Sequence, residues 1–175
     1  MFLKNTIFVS FLMSINFSCA QKPANRPHCD NVSFDKTLSA MLSFSVPVIS
    51  VKELKSKKND YVLLDTREPK EFEVSHIEGA KNVGYDNFLL ENVAYLDKKT
   101  PIVVYCSVGY RSEKVGEKLK AAGFSNIKNL YGSIFEWVNE GNPVVGNDNK
   151  ATAKVHTYNK TWSRWVDKKN IEKVY

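Results

Sequence analysis

One cysteine in this chain has neighbours that could convert its thiol into a nucleophile. Cys106 follows the apolar run Ile102–Tyr105, and Gly109, Arg111 and Ser112 come shortly after it. A thiol ionises near neutral pH when backbone amides, a helix N-terminus or a fixed positive charge lie beside the sulfur. Arg111 can supply that charge, and Gly109 allows the backbone to turn towards the sulfur. The pattern predicts a reactive cysteine; the alternative is a buried cysteine that only closes a strand.

The residues on either side of this loop predict how it is held. The apolar run before Cys106 is typical of a buried strand, and residues 113–122 have charged and apolar side chains at helical spacing. Further strands are predicted at 46–51, 61–64 and 124–130, and helices at 34–42, 52–57, 68–74, 86–96 and 133–141. This alternation predicts an α/β fold, a central parallel sheet with helices on both faces. Reactive groups in such sheets lie at the carboxyl ends of strands, where Cys106 falls.

The composition is that of one globular domain. The chain has 175 residues, 43% of them hydrophobic, which is enough for a core of its own. Its net charge of +6 is spread along the sequence, without the basic stripe that a nucleic-acid partner requires, and could attract anionic substrates or lipid headgroups. The three histidines and three cysteines are scattered, so no metal site is predicted.

Residues 1–19 are predicted to be a signal peptide. Lys4 precedes a short apolar stretch, and small residues follow it at positions 18–20. Cleavage before Cys19 would leave a lipidated cysteine at the new N-terminus, as in bacterial lipoproteins, whereas cleavage after Ala20 would release a secreted protein. Both routes predict an exported protein, in the periplasm or anchored to a bacterial membrane through Cys19.

Two flanking segments are predicted outside the central domain, which we place at residues 34–146. Residues 20–33 contain prolines and asparagines and predict a flexible tether, in which Cys29 is a free thiol or forms an intermolecular disulfide. Residues 147–175 predict an amphipathic helical tail, with an apolar stripe at Tyr158, Trp162, Trp165 and Val166. This tail would dock on the domain or, alternatively, bind a membrane surface or a partner.

Several motifs, taken together, resemble the rhodanese-like domain family. The central motif is Cys-x-x-Gly-x-Arg, at Cys106, Gly109 and Arg111. The other matching pieces follow the family order between residues 46 and 146, namely 64–68, Phe72, 76–80, 104–112, 130–134, Trp137 and 141–144. The pieces are weak singly and specific in combination. The tail lies outside this resemblance.

The resemblance implies a fold, a reaction and a set of site residues. The fold is a parallel sheet with helices on both faces, and the reaction moves a sulfane sulfur from a donor such as thiosulfate to a thiol or cyanide acceptor. Cys106 would carry the sulfur as a persulfide, Arg111 would neutralise the anion, and no cofactor is needed. The loop residues would cradle the persulfide with their amides, at Ser107, Val108, Gly109, Tyr110 and Ser112. Ser112 would also cap the following helix, and Arg67 would line the mouth of the site.

Three other functions are weighed against sulfur transfer. Phosphatases of related fold have five residues between the cysteine and the arginine, whereas four lie between Cys106 and Arg111. The shorter loop suits one sulfur atom and crowds a phosphate. A non-catalytic binding module of the same family and an envelope thiol or redox carrier that pairs Cys29 with Cys106 stay open as alternatives.

Overall fold

The computed structural model describes residues 22–175, and its centre is a five-stranded parallel sheet. The strands are β1 (Val48–Ile49), β2 (Val62–Asp65), β3 (Lys81–Asn82), β4 (Ile102–Tyr105) and β5 (Ile127–Leu130). They lie in the order β1-β5-β4-β2-β3, and every neighbouring pair is parallel. All four residues of β4 are buried. A continuous apolar run in place of alternation is what a strand covered on both faces requires.

Five α-helices accompany the sheet. They are α1 (Val32–Met41), α2 (Val51–Lys57), α3 (Pro69–Val74), α4 (Tyr110–Ala121) and α5 (Ser133–Asn139). The Asn31 side chain accepts hydrogen bonds from the first amides of α1, and Ser50 does the same for α2. Pro69 begins α3, at the position where its missing N–H costs nothing. None of the helices within residues 22–175 is long and apolar enough to cross a membrane.

Apolar side chains cover both faces of the sheet, which confirms the predicted fold class. Val103 and Tyr105 of β4 belong to a cluster that includes residues of α1, α2 and α5. Ile102 and Val104 point the other way, into a second cluster with residues of α4. Successive side chains of a strand alternate between its two faces, so these clusters are the two layers of the core.

The helix predicted over residues 86–96 is absent. This segment contains one 3-10 helix, at Leu90–Val93, and is otherwise in turns and irregular structure. Phe88 and Val93 are buried, whereas Leu89 is 59% exposed. The apolar spacing that predicted a helix therefore does not correspond to a buried helical face, and the chain runs over the edge of the sheet.

The predicted flexible tether is wrong for residues 26–33. Arg26 pairs with Asp35 of α1 at 2.7 Å and donates a hydrogen bond to the Tyr131 hydroxyl at 2.6 Å. Cys29 is buried in the same cluster as α1 and makes no disulfide with Cys106, the other cysteine of the described residues. Residues 26–33 are thus held on the domain, whereas residues 22–25 are exposed. The predicted signal peptide and the lipidation site at Cys19 lie outside the described residues.

The predicted amphipathic helix in the C-terminal tail is also wrong. The segment contains β7 (Ala151–Thr152), which pairs with β6 (Val144–Val145), and β8 (Lys154–His156), which pairs in parallel with β9 (Glu172–Val174). Between β8 and β9 lies a single 3-10 helix, Trp162–Trp165. Strand pairing and the left-handed backbone of Tyr158, with φ at 66°, interrupt the helical periodicity. The segment that carries Tyr158 lies next to the loop after β4.

Candidate active site

Cys106 lies directly after β4, at the carboxyl end of the sheet's central strand. The loop that follows turns at Gly109, whose φ of 117° is in the region that favours glycine, and α4 begins at the next residue. This turn directs the Gly109 amide at the cysteine, to which it donates a hydrogen bond at 3.1 Å from nitrogen to Sγ. The Ser112 amide is a second donor to the same sulfur. Of the predicted cradle, the amides of Gly109 and Ser112 are thus directed at the sulfur.

The surroundings of Cys106 favour its thiolate form. Burial by itself would raise the pKa of the thiol, because it removes water from the charged form. The Arg111 charge and the hydrogen bonds from Ser112 and Gly109 outweigh that cost, and the pKa of Cys106 is lowered from its ordinary value. An accessible thiolate is the nucleophilic form of cysteine.

A buried carboxylate holds Arg111 in place. Glu71 of α3 is 1% exposed and accepts two hydrogen bonds from the Arg111 guanidinium, at 2.7 and 2.8 Å. The same carboxylate accepts from the Glu68 amide at 3.0 Å, so it is itself fixed to the start of α3. Burial would raise the pKa of Glu71, yet the arginine keeps it below its usual value. The sequence motifs did not point to Glu71, because a glutamate on a short helix is expected to be a surface residue.

Ser112 stiffens the loop but does not cap the helix. Gly109 occupies the N-cap, and Ser112 is the third residue of α4. Its hydroxyl lies 2.7 Å from the Asn129 side-chain oxygen and 3.1 Å from the Gly109 carbonyl. The Asn129 amide also donates to that carbonyl, at 2.9 Å. The Asn129 side chain of β5 thus fixes the turn that carries the Gly109 amide.

Arg67 does not line the mouth of the site, which corrects the sequence-based expectation. Its side chain is fully buried and forms an ion pair with Asp65 at 2.6 Å. It also donates to the Ser75 carbonyl at 2.6 Å, and thereby ties the end of β2 to the end of α3. A guanidinium held by these partners stabilises the fold and does not contact the cavity.

A cavity of about 330 Å³ opens beside the cysteine. Five of the predicted residues lie on it, namely Cys106, Ser107, Val108, Tyr110 and Arg111. Six others were not predicted to do so, namely Met41, Glu68, Tyr85, Asp86, Tyr158 and Trp162. Tyr158 and Trp162 were singled out in the sequence, but as one stripe of a docked helix. They could not be placed at the site because the resemblance stops before the tail.

Within residues 22–175 no group of three or more His, Cys, Asp and Glu side chains is arranged to hold a metal ion. The groups that can act on a substrate here are a thiolate, amide donors, a guanidinium and a wall of aromatic side chains. This set suits nucleophilic attack by sulfur on a small electrophile.

Comparisons with known proteins agree with this geometry. The chain is 37% identical over 100 residues to the adenylyltransferase and sulfurtransferase UBA4 of Meyerozyma guilliermondii, covering 53% of this chain and 24% of that protein. It is 42% identical over 82 residues to the tRNA uridine(34) hydroxylase of Listeria welshimeri, covering 43% and 25%. The chain thus spans about a quarter of the length of these curated relatives.

A match to one solved structure spans almost the whole length of that structure. The rhodanese-related protein of Thermoplasma volcanium superposes with a TM-score of 0.52 at 32% identity, covering 57% of this chain and 97% of that one. The family model described as Rhodanese-like domain matches residues 50–140, which include Glu71, Cys106 and Arg111. This match spans more than half of the chain, which therefore belongs to the rhodanese-like domain family.

Proposed function

We propose that this protein is a sulfurtransferase that carries sulfur as a persulfide on Cys106. The observation that carries the proposal is that Cys106 faces a cavity and accepts a hydrogen bond from the Gly109 amide, in surroundings that lower the pKa of its thiol. The name of the UBA4 relative includes sulfurtransferase, which supports the same reaction class. That relative is four times as long as the matching region, so its other activities are not transferred to this chain.

The simplest donor is thiosulfate. The Cys106 thiolate attacks the outer sulfur, the bond between the two sulfurs of thiosulfate breaks, and sulfite leaves with the electron pair. Cys106 then carries a persulfide anion, which the loop amides can stabilise as they stabilise the thiolate. Attack by cyanide or by a thiolate acceptor on the outer sulfur releases thiocyanate or a new persulfide and restores the Cys106 thiolate.

The test is the intact mass of the full chain before and after addition of thiosulfate. The parent protein should gain the mass of one sulfur atom, and cyanide or dithiothreitol should remove it. Cys106→Ser should gain nothing, while the matched variant Cys29→Ser should behave as the parent. Absence of the gain with thiosulfate and with organic persulfides would overturn the proposal and would favour the non-catalytic binding module.

The redox-carrier alternative finds little support in the surroundings of Cys29. This cysteine is 6% exposed, and burial together with the neighbouring Glu136 raises the pKa of its thiol. A thiol in that state is a poor nucleophile towards a persulfide or a disulfide. Cys29 therefore serves the packing of the N-terminal residues, and Cys106 works alone in the proposed cycle.

We further propose that the protein is exported and lipid-anchored through Cys19. The support is the sequence pattern of residues 1–20, a positive end followed by an apolar stretch and small residues. Metabolic labelling with a radioactive fatty acid should mark the parent and leave Cys19→Ser unlabelled. A labelled Cys19→Ser protein, or an unlabelled parent found in the cytoplasm, would contradict the anchor.

A further inference from the structure

We propose that the segment β8–β9, residues 154–175, is a specificity wall that makes the site prefer a small organic persulfide with an uncharged, apolar body over thiosulfate. The inference rests on the proposed function for its chemistry, and on the cavity for its selectivity. Residues 154–175 lie outside the 50–140 region that matches the family. This wall is consequently a feature of this chain and not of the family loop around Cys106.

The part of the wall that faces the cavity is anchored on both sides. On one side β8 packs against α3, and Val155 is fully buried. On the other side the Trp165 ring stacks on Phe34 of α1 with centroids 5.3 Å apart, and the Asn139 side chain donates to the Trp165 carbonyl at 2.8 Å. A loop held at two points can present side chains at fixed positions, as a binding site requires.

Tyr158 and Trp162 are the side chains that this loop presents to the cavity. Tyr158 is kept in a left-handed backbone conformation, with φ at 66°, and its amide donates to Nδ1 of the buried His156 at 3.1 Å. Its ring lies 5.4 Å from the Arg111 guanidinium, centroid to Cζ. Strained backbone of this kind persists where the surroundings enforce it, and it is common at ligand sites. The Trp162 amide is held by the Asn159 side chain at 3.1 Å.

Tyr158 is also 55% exposed, although it lies beside a cavity in a packed segment. A large aromatic side chain that is fixed by its backbone and still exposed has apolar surface available for a ligand. Tyr85 and Tyr110 face the same cavity from the family domain. The cavity is therefore bordered by aromatic rings contributed by two separate parts of the chain.

The charges around the cavity disfavour a dianion. Arg111 is the one cationic side chain among the lining residues, and both oxygens of Glu71 already accept hydrogen bonds from it. Two further carboxylates, Glu68 and Asp86, line the cavity. A thiosulfate dianion would bring two negative charges towards these carboxylates and the Cys106 thiolate, whereas an organic persulfide carries at most one, at its sulfur end, and meets less repulsion.

The volume and the lining fit an organic ligand of modest size. A cavity of about 330 Å³ is at the lower end of the range for small-molecule sites. Aromatic walls bind flat or apolar groups, and the amides beside Cys106 bind the sulfur end. The inferred ligand thus has an apolar body, no negative charge on that body, and a terminal sulfane sulfur.

The transfer step needs no further reactant. The Cys106 thiolate attacks the terminal sulfur of R–S–S–H, and the bond between the two donor sulfurs breaks. The electron pair leaves with R–S⁻, which takes up a proton from solvent, and Cys106 keeps the outer sulfur as a persulfide. One S–S bond forms and one breaks, so no external oxidant or reductant enters.

The first test compares two donors on the full chain, with benzyl hydropersulfide as the probe that has an uncharged, apolar body and thiosulfate as the dianion. The parent should have the higher kcat/KM for benzyl hydropersulfide. The relevant ratio is kcat/KM for benzyl hydropersulfide divided by kcat/KM for thiosulfate. The double variant Tyr158→Ala/Trp162→Ala should lower this ratio by about tenfold, since each ring contributes apolar contact. Asp86→Asn should move the same ratio towards thiosulfate by about threefold, as expected for one exposed charge.

The matched control is Tyr175→Ala, which removes an equally exposed tyrosine of the same segment, 64% exposed and not among the cavity's lining residues. Its ratio should equal that of the parent. A parent that prefers thiosulfate, or a wall variant whose ratio stays within about twofold of the parent, would overturn the inference. Either result would leave the persulfide on Cys106 intact as a function.

The second test measures binding without sulfur transfer. Benzyl methyl sulfide, which has no transferable sulfur, is titrated by calorimetry into full-chain Cys106→Ala. Adding Tyr158→Ala and Trp162→Ala should weaken its Kd by about tenfold, while adding Tyr175→Ala should not. Equal affinities, or no binding, would overturn the wall. Binding that depends on the wall, combined with no mass gain from any donor, would instead support the wall and reject the sulfurtransferase.

Discussion

In the proposed sulfur transfer, three residues determine the reactivity of the site. Cys106 supplies the sulfur, Arg111 favours its thiolate form, and Glu71 holds the guanidinium through two hydrogen bonds. Glu71 is buried, so it tolerates its charge only while Arg111 is present. Arg111 therefore lowers the pKa of the cysteine, and Glu71 holds Arg111 in position.

Removing the arginine should raise the pKa of Cys106. In Arg111→Gln the main positive charge near the sulfur is lost, and the pH midpoint of Cys106 alkylation by iodoacetamide should rise by about one unit or more. The midpoint is measured by mass spectrometry of the peptide that contains Cys106. This variant should also lose about 3 kcal/mol of stability, because the buried Glu71 loses the arginine that compensates its charge.

The double variant Glu71→Gln/Arg111→Gln is the control for that loss. It removes both charges, so it should recover much of the stability while the alkylation midpoint lies between those of the parent and the single variant. An unchanged midpoint in Arg111→Gln would mean that the loop amides alone activate the cysteine.

At the scale of elements, the turn between β4 and α4 places the donors. Gly109 is the N-cap of α4, and its backbone conformation directs its amide at Cys106. A Cβ at this position would lie 3.6 Å from Leu42 and 3.7 Å from Asn129, which are ordinary contacts. The obstacle to a side chain here is therefore the backbone conformation and not the space.

Gly109→Ala should lower both stability and sulfur loading. The positive φ should cost about 1–2 kcal/mol, measured by urea unfolding. Relaxing that strain moves the amide away from the sulfur, so the rate of persulfide formation from thiosulfate should fall by about tenfold, the value of one hydrogen bond to a charged group. The measurement is the time course of the mass gain on the full chain.

Gly79→Ala is the matched variant, since Gly79 also has a positive φ, at 82°, and no heavy atom would lie within 4 Å of the new Cβ. It should lose similar stability and keep the parent's rate of loading. If both variants load at the parent's rate, the Gly109 amide does not contribute to reactivity.

The elements differ in how far the sequence predicts them. The strand and helix around Cys106 follow from local periodicity, and the loop between them is contiguous, so the cysteine, its amide donors and Arg111 were predictable together. Glu71 and Tyr158 reach the site through tertiary packing of α3 and of the loop after β8. No local pattern encodes that approach, and the stripe at Tyr158 and Trp162 even favoured a helix that strand pairing replaces.

At the scale of the whole molecule, the flanking segments are part of the domain's core. Phe34 and Trp165 stack across the two ends of the described chain, and Val166 is fully buried. Glu136 of α5 is 4% exposed and accepts a hydrogen bond from the Asp30 amide at 3.4 Å. A carboxylate in this seam between the N-terminal residues and α5 has no cationic partner among its described contacts, which makes it sensitive to pH.

Glu136 should make the folded state less stable as the pH rises. Burial raises its pKa from 4.5 to about 7 in the folded protein, so between these values the folded state holds a proton that the unfolded state has released. Stability from this group is thus lost as the pH rises from about 4.5 to about 7. Glu136→Gln keeps the acceptor oxygen without the charge and should equal the parent near pH 4, but exceed it by about 2 kcal/mol at pH 8.

Urea unfolding of parent and variant across this pH range gives the difference directly, because contributions from other groups cancel. Glu91→Gln, which changes an exposed carboxylate, is the matched control and should show no growing difference. A gap for Glu136→Gln that stays constant from pH 4 to pH 8 would contradict the proton uptake. A gap that opens between pH 4.5 and 7 would show that the seam, and with it the N-terminal packing, loosens as the pH rises, because the charge that forms there is buried beside Cys29 and Asp30.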